Sequence, residues 1–371
     1  MLVLDEAAGV SPSPWEGRGK MGNLLPRAAL LTVFLTIMSP QSPMDSQIDA
    51  DVLDDERYSG EEGPHEVRSI LLTWEDSARS RSLPVKIYYP VAGTGRHPVI
   101  LFSHGLGGSR NGYAYLGRNW ASHGYVSVHL QHPGSDDAIW RGSLPSEVRD
   151  RLREASRNPR AAQDRYIDVR FALDRLFEFD RLPQVEGASN PLAGRLDLDR
   201  IGMAGHSFGA LTTLAAVGQL VGVPRADYSD ARIRAAIPMS APVPVWRLDL
   251  DRDYAGIRVP LMHMTGTLDD SPIGNTRAAD RRIPFDHISQ AEQYLIIFRD
   301  GDHMIFGGRS GMLERFSRRS GDAEFHRMIC AASLAFWDAY LRESSEARRW
   351  LAEGGLKDRL GDLGTLERKS P

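Results

Sequence analysis

Six short, continuous apolar runs, most of them separated by stretches of helical character, constrain this chain more than any other feature. They are Pro98–Phe102, Tyr125–Leu130, Arg200–Ala204, Ile233–Met239, Val259–Met264 and Tyr294–Phe298. A strand with one solvated face alternates apolar and polar residues. A strand covered on both faces reads as an unbroken apolar run, and crossover helices on both sides of a parallel sheet create that condition. Helices fit between the runs at Tyr113–His123, Arg160–Phe179 and Ser207–Leu220, with a last one at Asp322–Leu341. Ahead of them, Val67–Trp74 and Leu83–Tyr89 are bounded by turn residues, as two antiparallel opening strands would be. The expectation is an α/β fold: an eight-stranded, mostly parallel sheet with helices on both faces.

Composition narrows the function classes. The 371 residues carry 49 Asp and Glu against 45 Lys and Arg, a net charge of -4, with 42% hydrophobic residues and a mean hydropathy of -0.34. Such a chain is neither a polytopic membrane protein, nor a disordered one, nor a domain that holds nucleic acid by bulk charge. Cys330 is the only cysteine, so an intrachain disulfide, a multi-cysteine zinc site and an iron–sulfur cluster are all ruled out. It lies in the apolar run Met328–Ala332 and reads as a buried structural thiol.

Near the start, Ala28–Met38 is an apolar stretch preceded by Arg18, Lys20 and Arg27. That order is similar to an export signal and too short to span a bilayer comfortably; Met21 is the better placed first residue. If the segment is a signal, the protein is exported to the periplasm or the outside; otherwise it is cytoplasmic. Residues 1–40 are thus read as signal-like or mis-started, 41–64 as a polar linker, 65–345 as the folded domain and 346–371 as a polar tail. Within the domain, Pro133–Pro159 is long for a loop and holds a charged helical stretch, Leu144–Ser156. It follows the fourth strand at the end where ligands bind in such sheets, which leaves two readings open: a small cap over the site, or a solvated surface helix.

Chemistry concentrates around Gly205-His206-Ser207-Phe208-Gly209, a Gly-x-Ser-x-Gly pattern between a strand and a helix. Chance alone places this pattern in roughly one such chain in four, so its context carries the weight. A serine hydroxyl is a poor nucleophile; a sharp turn at the sheet's edge exposes it to a base and a substrate together. Gly205 and Gly209 let neighbouring backbone approach that turn, and the helix opening at Ser207 aims free N–H groups at the site. A base and an acid should follow in the order acid, then histidine. Asp269 and Asp270 stand just past the strand ending Met262-His263-Met264, and His303 stands in the loop after Tyr294–Phe298. Asp269, third after the strand-terminal Gly266, is the preferred acid, with Asp270 the alternative.

Two N–H donors should face the oxyanion of a tetrahedral intermediate. The backbone N–H of Phe208 is one, and that of Leu106, in the glycine-rich stretch Ser103-His104-Gly105-Leu106-Gly107-Gly108-Ser109, is the other. His104 leads into that loop and reads as a brace rather than the base. His129 and His132 have a spacing a metal could use, but no third ligand stands nearby, so packing is the preferred role. The spacing of Gly105, Gly107 and Gly108 does not form a dinucleotide fingerprint. No metal and no cofactor are required. Tyr113 and Trp140 are candidates to line an acyl pocket.

With these residues assembled, His65–Leu341 resembles the α/β-hydrolase superfamily. Phe102-Ser103-His104-Gly105-Leu106-Gly107, Ala121-Ser122-His123-Gly124-Tyr125 and Gly205-His206-Ser207-Phe208-Gly209 resemble its platelet-activating-factor acetylhydrolase and dienelactone-hydrolase-like branch. Dienelactone hydrolases proper carry a cysteine nucleophile, and here the elbow holds Ser207. The resemblance implies a serine esterase for short-chain acyl esters, with Ser207, Asp269 and His303 as triad and Leu106 and Phe208 as oxyanion donors. Its substrate would be a small-molecule ester, with peripheral lipid contact left open and oligomeric state unspecified. A lipase, a polyester hydrolase, a peptidase and a non-catalytic secreted binding module on the same scaffold are the rival readings. Activity limited by deprotonation of a histidine would rise with a midpoint near roughly pH 6.5 to 7.

Overall fold

The structure, a computed structural model, describes residues 56–91, 93, 95–243, 249–307 and 322–371. The signal-like segment and most of the linker lie outside the described residues. The strands run β1 (Val67–Asp76), β2 (Arg81–Pro90), β3 (His97–Ser103), β4 (Val126–Leu130), β5 (Leu196–His206), β6 (Ile233–Met239), β7 (Leu261–Leu268), β8 (Gln293–Asp302) and β9 (Gly364–Lys369). They form one sheet in the order β1-β2-β4-β3-β5-β6-β7-β8-β9. β4 through β8 are mutually parallel, while β2 lies antiparallel to both β1 and β4. The eight expected strands are all present.

The ninth strand departs from expectation. β9 pairs antiparallel with β8, Leu366 opposite Ile296, so residues 346–371 are not a polar tail but carry an edge strand. Its sequence, Gly-Thr-Leu-Glu-Arg-Lys, is half-exposed or exposed at every position. An edge strand needs no continuous apolar run, and charged residues there discourage pairing with a further chain. At the other end, the folded part starts before His65: Tyr58 is buried in the core, and Arg57, Tyr125 and Arg342 all bond the buried carboxylate of Asp338.

Alternation of side chains divides the core between the two faces of the sheet. Ile100 and Phe102 of β3 pack with Leu116 and Trp120 of α1 (Ala114–Ser122) and with Phe336 and Trp337 of the C-terminal helix Asp322–Tyr340. Val99 and Leu101, one residue out of phase, pack with Val169 and Leu173 of the helix Pro159–Phe179 and with Leu214 of the helix Phe208–Ala216. Pro159–Phe179 opens as its sequence dictates. Asn158 Oδ1 accepts from Arg160 N–H at 3.0 Å, and Pro159 takes the first helical position, where a missing N–H costs nothing.

Numbering the five longer helices α1 (Ala114–Ser122), α2 (Pro145–Ser156), α3 (Pro159–Phe179), α4 (Phe208–Ala216) and α5 (Asp322–Tyr340), only α2 buries none of its residues. The base of its segment is fastened to the loop after β3. Gly107 N–H donates to Ser135 O (2.9 Å), Asp137 N–H to Gly108 O (2.8 Å) and Trp140 Nε1–H to Gly107 O (2.7 Å). Most of α2 faces solvent, but its Leu152 side chain lies against Gly107, so both the helix and the turn before it touch the loop after β3.

Candidate active site

β5 ends at His206, and Ser207 stands between strand and helix α4 with φ 55° and ψ -117°. A non-glycine residue held there is strained, and such strain persists only where the surroundings over-determine it. Two glycines make the turn sterically feasible. A Cβ on Gly205 would lie 2.3 Å from Gly209 O, and one on Gly209 would lie 1.9 Å from Ser103 O. The second contact is backbone against backbone, with no flexible side chain to give way. Gly209→Ala is therefore expected to cost at least about 1–3 kcal/mol, as overpacking does. Calorimetry should show a melting temperature several degrees lower, and an unchanged one would mean that the elbow can open.

The strain presents Ser207 to two side chains from later strands. Ser207 Oγ lies 3.0 Å from His303 Nε2, and His303 Nδ1 lies 2.7 Å from Asp269 Oδ1. With Asp269 accepting the Nδ1 proton, Nε2 keeps its lone pair for the serine. Asp269 is fully buried and takes hydrogen bonds from Thr265 Oγ1 (2.8 Å) and from the Ser240 hydroxyl. Burial pushes its carboxyl up, but the His303 hydrogen bond, the charges of His303 and Arg281, and Ser240 outweigh burial and hold it below the usual range. Asp270 points elsewhere. It is half exposed and pairs with Arg277 at 2.8 Å, and it accepts from Ala278 N–H.

Sequence reasoning missed Ser240 and Arg281. Arg281 is buried; its Nη1 donates to Ser240 O (2.8 Å) and its Nε to Asp269 O (3.1 Å). Its Nη2 lies 3.4 Å from Asp269 Oδ1, so the carboxylate faces one cation besides the imidazole. Neither residue carries a motif; Ser240 has φ 53° at the end of β6, a backbone feature no sequence pattern announces.

The loop after β3 stands beside the elbow, since a Cβ on Gly105 would lie 3.4 Å from Ser207 Cβ. Among the described residues, the N–H groups of Leu106 and Phe208 meet no protein acceptor. Tyr113 does not face outward as a pocket wall. It is buried behind the elbow, accepting from Gly105 N–H (3.4 Å) and donating to His206 Nδ1 (2.8 Å), with burial pushing its phenol up to about 12. His104 is also buried. Its Nδ1–H donates to Gly105 O (2.6 Å) and its Nε2 accepts from His132 N–H (3.2 Å), leaving no lone pair for Ser207.

A second serine–histidine–aspartate chain lies beneath this loop. Ser103 Oγ is 3.0 Å from His132 Nε2, and His132 Nδ1 is 3.0 Å from Asp168 Oδ2. All three residues have zero exposure, so no substrate reaches them. Asp168 is further bound by Arg81 (2.8 Å) and Arg79 (2.8 Å), which makes it the hub of a buried ion network. His129 bonds Gly112 O and Ser127 Oγ, so neither histidine of the pair is turned toward a common ligand. Cys330 is buried, and burial pushes its thiol up.

Comparison with known proteins adds to this geometry. Residues 59–159 match the family model described as platelet-activating factor acetylhydrolase, isoform II, a stretch holding β1 to β4, the Leu106 loop and α2 but not Ser207. The platelet-activating factor acetylhydrolase of Canis lupus familiaris is 28% identical over 185 residues, 44% of this chain and 38% of the relative. Those of Cavia porcellus and Bos taurus are each 24% identical, over 302 and 293 residues, covering 74% and 70% of this chain and 65% and 61% of the relatives. The alignments thus span less than two thirds of each relative's own length. The sheet order, the elbow between β5 and α4, and these matches make the chain similar to α/β-hydrolases and support the platelet-activating-factor acetylhydrolase-like branch among them.

Proposed function

We propose that the protein hydrolyses short-chain carboxylic esters through an acyl-enzyme on Ser207. One observation carries the reading: a strained elbow serine hydrogen-bonded to a histidine whose other nitrogen is held by a buried carboxylate. The curated relatives bear the name acetylhydrolase, which supports an ester with a small acyl group.

In this mechanism His303 Nε2 takes the proton of Ser207 as Oγ attacks the ester carbonyl carbon. The negative charge that forms on the carbonyl oxygen is met by the Leu106 and Phe208 N–H groups, each worth on the order of 3 kcal/mol of barrier. Collapse of the intermediate expels the alcohol, which takes the proton from His303, and a water deprotonated by the same imidazole then releases the acid. Asp269 holds the tautomer and stabilises the imidazolium, staying ionised throughout. The imidazolium forms as Ser207 gives up its proton, and the Asp269 anion 2.7 Å from Nδ1 is what makes that charge tolerable inside the protein.

Hydrolysis of p-nitrophenyl esters from acetate to octanoate tests the reaction and measures the acyl pocket together. The expected profile is highest for acetate and butyrate and falls with chain length, with a fluorophosphonate probe adding one mass increment on the Ser207 peptide. A protein inert to every ester and unlabelled by the probe is not a serine hydrolase. Octanoate turned over fastest, with a jump in rate above its aggregation point, would favour the lipase reading instead.

A further inference from the structure

Arg165 is an arginine with zero exposure, and among the described residues no carboxylate lies within ion-pair distance of it. Its donors are spent on neutral oxygens. Nη1 donates to His104 O (2.6 Å), Nε to Ser135 Oγ (2.7 Å), and Nη2 to Ser135 O (3.3 Å) and Gly105 O (3.5 Å). Its guanidinium also lies 4.4 Å from the ring centroid of Phe208. A buried cation that meets Asp168 and Asp136 only at a distance, with no direct ion pair, is an expensive way to hold a loop, and an apolar side chain of similar volume would pack there at lower cost. Burial pulls it down only to about 9, so the charge is present at neutral pH.

What the cation touches explains the expense. The C=O of Gly105 and the N–H of Leu106 belong to one planar peptide unit and point in opposite directions. Fixing the oxygen fixes the line along which the Leu106 N–H points. That oxygen is gripped from three sides: by Gly108 N–H (3.0 Å), His104 Nδ1–H (2.6 Å) and Arg165 Nη2. A positive charge on the oxygen also polarises the peptide and strengthens its N–H as a donor. The same guanidinium packs on the side chain of Phe208, whose N–H is the other proposed donor. We propose that Arg165, reaching from α3, is a positioning residue that aligns both N–H donors of the oxyanion site and polarises the Gly105–Leu106 peptide. The inference rests on the ester-hydrolase reading, which supplies the anion those donors would bind.

A donor that is aimed and polarised matters where charge has developed, in the transition state, and hardly at all for the neutral ester. Arg165→Lys and Arg165→Gln are therefore expected to lower kcat on p-nitrophenyl acetate by about 10- to 100-fold with KM changed by less than about threefold. Inhibition by a trifluoromethyl ketone, whose adduct with Ser207 carries the oxyanion, should weaken in parallel with kcat/KM, whereas inhibition by a neutral, unreactive amide analogue of the ester should not. Lysine keeps the charge but not the fork, so it should recover part of the loss seen with glutamine. Ser135→Ala removes the acceptor of Arg165 Nε, along with the bond from the Ser135 hydroxyl to His132 O (3.1 Å), and is expected to cost kcat several-fold; it serves if the arginine variants fail to fold. Folded variants with wild-type kcat, or ketone and amide affinities that fall together, would overturn the proposal. So would a Ser135→Ala enzyme with unchanged kcat where no Arg165 variant folds. An inactive wild type would sink the ester-hydrolase reading and this inference with it, while an active wild type beside equally active variants would sink this inference alone.

Discussion

Ser207→Ala is expected to lower ester turnover by roughly a million-fold, and His303→Ala by about as much, with the double variant no worse than either single one. The reason for non-additivity is physical. His303 acts only by taking the Ser207 proton, so once the hydroxyl is gone the imidazole has nothing to accept. Asp269→Asn should cost roughly 10,000-fold, because an amide can present N–H to Nδ1 and turn the imidazole to the wrong tautomer. Asp270→Asn should stay within about twofold of wild type. Its carboxylate is half exposed and engaged with Arg277 and Ala278 N–H, away from His303. Stopped-time assays on p-nitrophenyl acetate, with melting curves to show that each variant is folded, decide the matter. A Ser207→Ala protein retaining a tenth of wild-type turnover would refute the nucleophile assignment. Loss at Asp270 with activity kept at Asp269 would reverse the choice of acid.

Much of the fold was legible in the sequence because burial on both faces leaves a mark that one chain can carry. The strand Ile233–Met239 reads directly from its apolar run, and its bounds in the structure are the same. The run at Arg200–Ala204 marks only part of β5, which runs on through buried Gly205 and His206 into the elbow and back to Leu196 through half-exposed and exposed residues that sequence pattern treats as loop. β9 has no such mark at all, since edge pairing is made by backbone groups and needs no particular side chain. The candidate site divides along the same line. Ser207, Asp269 and His303 were legible because a sharp turn needs Gly205 and Gly209, and because each partner follows its own strand. Arg281, Ser240 and Arg165 were not. Each acts through backbone carbonyls or a buried carboxylate brought close only by the fold, and an arginine in a helix reads by default as a solvated one.

The buried histidines carry the other large effect, on stability rather than turnover. Below about pH 6.5 the protein is expected to lose stability steeply, its melting temperature falling by roughly 10 °C or more between pH 7 and pH 5. Burial holds His132 and His263 down to about 4 and His129 down to about 3, and His104 and His206 are also held well below their ordinary range by burial, by Arg165 and by His303 respectively. In the unfolded chain each titrates near 6.5. Between the two values the unfolded state binds protons that the folded state refuses, so stability is fully present above about pH 6.5 and declines as pH drops toward 4, each histidine contributing on the order of 3 kcal/mol at most. Against a typical margin of about 5–15 kcal/mol, two or three such groups are decisive. Carboxylates held below their ordinary range, Asp168 and Asp269 among them, act in the same direction but only below about pH 4, where their unfolded counterparts begin to protonate. The two windows are therefore separable. His263, on β7, bonds Gln293 (3.0 Å) and none of the triad side chains among the described residues, so His263→Gln should flatten the pH 5–7 slope by removing one titrating group while leaving ester turnover near wild type. A melting temperature that is level from pH 7 to pH 5 would mean that these imidazoles are reached by protons in the folded state, and that the interior beneath the Leu106 loop is not dry.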